Sequence, residues 1–250
     1  MPFGRRVFTP WFNDQGDDEF ATLLKSTRQS GALMASPDRT YVLHQLIRRA
    51  SRLVGDVAEC GVYQGGSAHV IASTLARNAS PARLDLFDTF EGVPSIAVAA
   101  RDYHAPGSFS NTSLERVKER LSEHLPRCRF YAGLIPNTFA QVREDAQYSL
   151  ANIDVDLYPT NRACCEWFWP RMVPGGVMLF NDYGFYPYRH STRRAVDEFF
   201  AEIDEQPLVL PTGQALVIKT TAANVAIPPL AAQGDSIIAA DSLFESADSL

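Results

Sequence analysis

Residues 59–67 read ECGVYQGGS, set between the strand-like DVA at 56–58 and the helix-like HVIASTLA at 69–76. An acid followed by a glycine bend at a strand-to-helix junction marks the ligand end of an open α/β sheet. The glycines are Gly61, Gly65 and Gly66, spaced G-x-x-x-G-G, with bulky Tyr63 and Gln64 in the bend. A dinucleotide site instead uses G-x-G-x-x-G to bring backbone against a pyrophosphate at a helix N-terminus. Glu59 would repel a phosphate there, and it suits a cationic amino group. A second acid, Asp88, ends the run RLDLFD at 83–88, where a carboxylate can accept hydrogen bonds from ribose hydroxyls. Two acids around this bend favour a nucleoside that carries an amino acid, S-adenosylmethionine. A nicotinamide-dependent oxidoreductase is the rival that the glycine spacing disfavours.

Outward from the bend, strands and helices alternate. The run 38–53 places Val42, Leu43, Leu46, Ile47 and Leu53 on one helical face. Strands are expected at 57–59, 83–88, 129–132, 150–157 and 177–181. Helices are expected at 17–28, at 67–77 with Ser67 as its cap, at 161–169 and at 191–204. Thr112-Ser113-Leu114-Glu115 reads as a capping box, opening a helix that runs to about His124. The connection 89–111 is longer than a simple connector needs to be, which points to a functional loop. PLVLPTGQALVIK at 207–219 is a hairpin around its Pro-Thr-Gly-Gln turn. These elements make a doubly wound, Rossmann-like seven-stranded α/β sheet with an antiparallel C-terminal strand. Residues 1–35 form an arm or lid, 36–221 the donor-binding domain, and 222–250 a mostly flexible tail whose IIAADSLF segment can dock. The arm's Val7, Phe8, Trp11 and Phe12 are expected to cover the acceptor pocket or a neighbouring subunit, in a homodimer or larger assembly.

The chain has 250 residues and a net charge of −6, with no basic run beyond pairs such as Arg48-Arg49 and Arg193-Arg194. Nucleic acid as a main partner needs a clustered positive face, so it is excluded. No stretch approaches the length of a membrane-spanning apolar helix, and the N-terminus lacks an apolar signal core. Cys60, Cys128, Cys164 and Cys165 have no metal-ligand spacing, which fits a reduced, cytoplasmic enzyme.

A second constellation lies at IDVDLYPT (153–160) and FNDYG (180–184). Asp154 and Asp156 are two apart and share a face if the strand continues, while Asn181 and Asp182 arrive from the next strand. Oxygen ligands without histidine or thiol suit a hard ion such as Mg²⁺. Tyr183, Phe185, Tyr186 and Tyr188 offer flat rings to an acceptor, and His104 and His190 are alternative bases.

AECGVYQGGSA, LFDTFEGVP, NTSLERV, IDVDLYPT, VPGGVMLFNDYG, RRAVDEFF and PTGQALVIK resemble, in order and spacing, the macrocin O-methyltransferase family over roughly residues 38–220. The resemblance implies the class I methyltransferase fold and S-adenosylmethionine-dependent methyl transfer to a sugar hydroxyl of a natural product, with Mg²⁺ at the ends of strands four and five. By position it puts Glu59, Gly61 and Ser67 around the methionine part of the donor, with Tyr63 and Phe90 in the same site and Asp88 at the ribose. It makes Asp154, Asn181 and Asp182 the metal ligands and Asp154 the base. The partner it implies is a small glycosylated acceptor. Position 181 departs from the family, which usually carries aspartate there. Asparagine can ligate through its carbonyl oxygen, but the change leaves open a chain that binds the donor without transferring methyl. Leu157 stands where catechol methyltransferases carry a lysine base, which argues against their mechanism.

Overall fold

Short strands buried on both faces build the sheet. In the computed structural model, which describes residues 18–94 and 102–220, β1 (Asp56–Cys60), β2 (Leu84–Asp88), β3 (Cys128–Ala132), β4 (Tyr148–Ile153) and β5 (Met172–Phe180) are parallel. The hairpin β6 (Leu208–Val209) and β7 (Ala215–Ile218) adds to β5 in antiparallel sense. The order is β3-β2-β1-β4-β5-β7-β6. Val7, Phe8, Trp11, Phe12 and the IIAADSLF segment lie outside the described residues, as do residues 95–101 of the long connection.

Successive residues of each strand face opposite layers. Val57, Leu84, Leu86, Leu150, Val177 and Leu179 pack with Leu43 and Ile47 of α2 (Pro37–Ala50) and with Ile71 and Leu75 of α3 (Gly66–Arg77). Ala58, Phe87, Ala151, Ile153, Met178 and Phe180 point the other way. They pack with Cys164 and Phe168 of α5 (Tyr158–Phe168) and with Val196 and Phe200 of α6 (Thr192–Phe200). Each large apolar side chain fully buried in these layers contributes about 1.5–3 kcal/mol. The helix α1 (Asp18–Gln29) joins the first layer, with Phe20 fully buried against the Tyr41 ring at 4.9 Å.

Several expected boundaries move. The fourth strand ends at Ile153 rather than Leu157, because Asp156 takes a positive φ of 59° and turns the chain before α5. Ser67 is not the cap of α3. Gly65, left-handed at φ 79°, holds that position. The capping box is displaced by one residue: Ser113 Oγ accepts from Arg116 N, and α4 (Leu114–Arg120) is short. A 3-10 segment, Ser122–Arg127, follows it and contains Pro126, so Leu125 is exposed rather than part of a longer apolar face. The fifth strand starts early, at Met172, and runs through Pro174, Gly175 and Gly176.

Candidate active site

The strand order reverses between β1 and β4, and open α/β sheets bind ligands beyond the strand ends at such a point. A cavity of about 330 Å³ lies there, lined among others by Gly61, Ser67, Asp88, Asn152, Asp154 and Asp182.

The glycines of the opening motif make room for the protein's own backbone. A side chain on Gly61 (φ 87°) would run into the carbonyl of Asp154, with its Cβ 2.7 Å from the carbonyl carbon. The Asp154 N–H donates to Cys60 O at 2.8 Å, which locks the two strand ends together. Gly66 likewise passes close to Ala32 and Leu33, where a Cβ would sit 2.6 Å from the Ala32 oxygen. The bend therefore brings the β4 end and the α1–α2 connection onto one pocket.

Asp88 pins this bend. Its Oδ2 accepts from the backbone N–H groups of Val62 (2.6 Å) and Tyr63 (2.8 Å), and its Oδ1 from that of Phe90 (2.7 Å). A carboxylate has about four acceptor sites, and the Thr89 hydroxyl also approaches Oδ1 at 3.4 Å, so at most one site is left for a ribose hydroxyl. Tyr63 lines the cavity and donates from its hydroxyl to Asn111 Oδ1. Phe90 does not line it. A positive φ of 57° turns its ring into the core, where it is 3% exposed.

Glu59 is fully buried and stands behind the cavity wall, with Ser67 and Asn152 in front of it. Its Oε1 accepts from Asn152 Nδ2 at 3.0 Å, while Oε2 has no hydrogen bond of good geometry. Burial pushes its pKa up to about 8, which Ser67 and Asn152 only partly offset. A buried carboxyl short of partners favours a positive charge nearby.

Asp154, Asp156 and Asp182 each offer an oxygen within 4.8 Å of the others. Burial, and then the neighbouring carboxylates, raise the proton affinity of Asp154 and Asp156 well above the usual range. Asn181 stands apart from this group. Its Oδ1 accepts from Gln214 Nε2 at 2.9 Å, and its Nδ2 donates to Asn152 Oδ1 at 2.8 Å. The amides thus run one way, Gln214 to Asn181 to Asn152 to Glu59. Each amide donates an N–H to the next acceptor, and the chain ends on Glu59 Oε1.

Sequence reasoning missed one neighbour of the acids. Arg39 of α2 donates from Nη2 to Asp182 Oδ1 at 3.0 Å and to the Asn181 carbonyl at 2.9 Å. Asp156 had been read among the candidate oxygen ligands, but outside the expected set of Asp154, Asn181 and Asp182. His104 Nε2 lies 3.6 Å from Asp156 Oδ2 and 2.8 Å from the Tyr188 hydroxyl, and burial lowers its pKa. His190 does not line the cavity, whereas Tyr188 does. Tyr183 is buried with its hydroxyl on Asp197, and Tyr186 is exposed under Arg189.

The macrocin-O-methyltransferase (TylF) family model matches residues 22–208. The 8-demethyl-8-(2,3-dimethoxy-alpha-L-rhamnosyl)-tetracenomycin-C 4'-O-methyltransferase of Streptomyces olivaceus is 26% identical over 170 residues. That match covers 62% of this chain and 65% of the relative, so the chain spans less than two thirds of the relative's length. Among solved structures, the O-methyltransferase NovP superposes with a TM-score of 0.67 at 22% identity, over 76% of this chain and 82% of that one. An O-methyltransferase from Bacillus cereus in complex with SAH gives 0.53 at 16% identity, over 82% and 93%. These likenesses show the fold. No helix among the described residues is long and apolar enough to cross a membrane.

Proposed function

Because the chain belongs to the macrocin-O-methyltransferase family, we propose that it transfers the methyl group of S-adenosylmethionine to a sugar hydroxyl of a natural product, assisted by Mg²⁺. The observation that carries this reading is one cavity bounded by two kinds of chemistry: Gly61, Ser67 and Asp88 on one side, and three carboxylates on the other. The orphan Glu59 oxygen behind Ser67 fits the cationic end of the donor. The Streptomyces olivaceus relative is named for methylation of a rhamnosyl oxygen, and the Bacillus cereus structure is titled as a complex with SAH. Both agree with a donor and an acceptor of these classes.

Three carboxylates without nitrogen or sulfur donors fit a hard divalent ion. Asp154, Asp156 and Asp182 would hold it. Asp156 takes the place expected for Asn181, whose amide is engaged with Gln214 and Asn152. When bound, such an ion supplies Lewis acidity that makes a nearby hydroxyl easier to deprotonate. The chain's own residues do the rest. Asp154 takes the acceptor's proton as its oxygen attacks the methyl carbon. The new C–O bond forms while the C–S bond breaks, and the electron pair stays on the departing sulfur. Leu33, Val93, Pro94 and Tyr188 line the cavity. They exclude water and hold the acceptor in line with the sulfonium, where proximity lowers the barrier. EDTA should abolish turnover and added Mg²⁺ restore it, while calorimetry still shows S-adenosylhomocysteine binding. Full activity in EDTA would remove the metal from this account.

A further inference from the structure

Arg39 enters the acid cluster from α2, 143 positions before Asp182. Its side chain is only 16% exposed, as is fitting for a group that closes one side of the cavity. Nη2 serves two acceptors of β5's end, Asp182 Oδ1 and the Asn181 carbonyl. The guanidinium also sits 5.3 Å from the centre of the Phe185 ring, and its Nε is buried without a partner. Among the described residues it is the one guanidinium that forms an ion pair with a member of this cluster, Asp182. A fixed positive charge touching one ligand oxygen both repels a second cation and competes for that oxygen.

We propose that Arg39 is a tethered counter-cation that competes with the divalent ion for Asp182 and thereby sets the ion's affinity. This rests on the reading that Asp154, Asp156 and Asp182 form a metal site. The competition has a built-in strength: a primary amine offers no planar fork, so lysine at this position keeps the charge but holds Asp182 less firmly. Arg39 is thus a positioning residue, acting through Asp182.

Its test is direct binding of Mn²⁺, followed by the loss of the free-ion electron paramagnetic resonance signal and needing no turnover. Wild type, Arg39→Met and Arg39→Lys are stripped with EDTA, desalted and titrated. Arg39→Met is expected to bind Mn²⁺ at least tenfold more tightly than wild type, with Arg39→Lys between them. Over the same series, the rise in melting temperature on adding Mn²⁺ should be largest for Arg39→Met. Unchanged or weaker binding in a folded Arg39→Met would overturn the proposal, because Arg39 would then orient Asp182 for the ion instead of opposing it. If Arg39→Met does not fold, Arg39→Lys decides alone: binding tighter than wild type supports the competition, and equal or weaker binding refutes it. If no variant and no wild type binds Mn²⁺, the metal reading itself fails and takes this proposal with it. Tight wild-type binding with no effect of Arg39 defeats only the proposal.

Discussion

Gly61→Ala is expected to lower the melting temperature by on the order of 10 °C and to abolish methyl transfer. Two penalties add at this position. The backbone holds φ at 87°, which costs a residue with a Cβ about 1–2 kcal/mol. The new Cβ also runs into the Asp154 carbonyl, a backbone atom that cannot rotate away, and overpacking of that kind costs about 1–3 kcal/mol more. For a chain of this size each kcal/mol is worth roughly 2–4 °C. Function suffers beyond stability, because relief requires moving Asp154 away from β1. Gly31→Ala is the control. It shares a positive φ of 73° but has open space around it, so it isolates backbone strain at about 1 kcal/mol. Thermal melts of both variants check this, and equal losses would show that the Asp154 contact is not what Gly61 protects.

Asp154→Asn is expected to reduce kcat/KM by roughly 10²–10⁴, the range for removing a general base, while the EDTA-treated protein becomes more stable. The sign follows from the raised proton affinity of Asp154 in the fold. A carboxyl whose folded pKa lies above its unfolded value contributes stability at low pH, and this is lost as pH rises through the folded pKa. At neutral pH, above the ordinary carboxyl range, the raised proton affinity therefore works against folding, and an uncharged isostere removes the cost of burial and of the Asp182 charge. Asp156→Asn should show the same opposition of activity and stability, since its proton affinity is raised by burial and by Asp154. Steady-state kinetics and thermal melts at neutral pH measure both. A variant that loses activity and stability together would mean that the cluster is a structural ion network.

The sheet was legible because short apolar runs buried on both faces and the acid–glycine bend are local signals. Val57 and Ala58, or Leu86 and Phe87, show in sequence the two faces they occupy in the fold. The motif residues at the ends of β1, β2, β4 and β5 were legible for the same reason, since a parallel sheet brings those ends together. What was hidden depends on partners far along the chain. Arg39 reaches Asp182 from another helix, and Asn181 is held by Gln214 from the terminal hairpin. Gly61 lines the cavity, and the Asp154 carbonyl that would meet its Cβ comes from far along the chain. Positive φ values at Phe90 and Asp156 have no residue signature, as glycine would have given. One turned an expected cofactor contact into the core, and the other ended β4 early while bringing Asp156 beside Asp154.

The central claim is methyl transfer to a sugar oxygen, and the most direct measurement is product analysis. The full chain, supplied with Mg²⁺ and S-adenosylmethionine carrying an isotopically labelled methyl group, is incubated with a panel of glycosylated natural products. Mass spectrometry with fragmentation then locates the label. The account predicts one labelled methyl on a sugar hydroxyl of at least one acceptor, with S-adenosylhomocysteine formed in equal amount and both formed roughly 10²–10⁴-fold more slowly by Asp154→Asn. Label found on a nitrogen, a carbon or an aglycone hydroxyl, or undiminished transfer by Asp154→Asn, would contradict it.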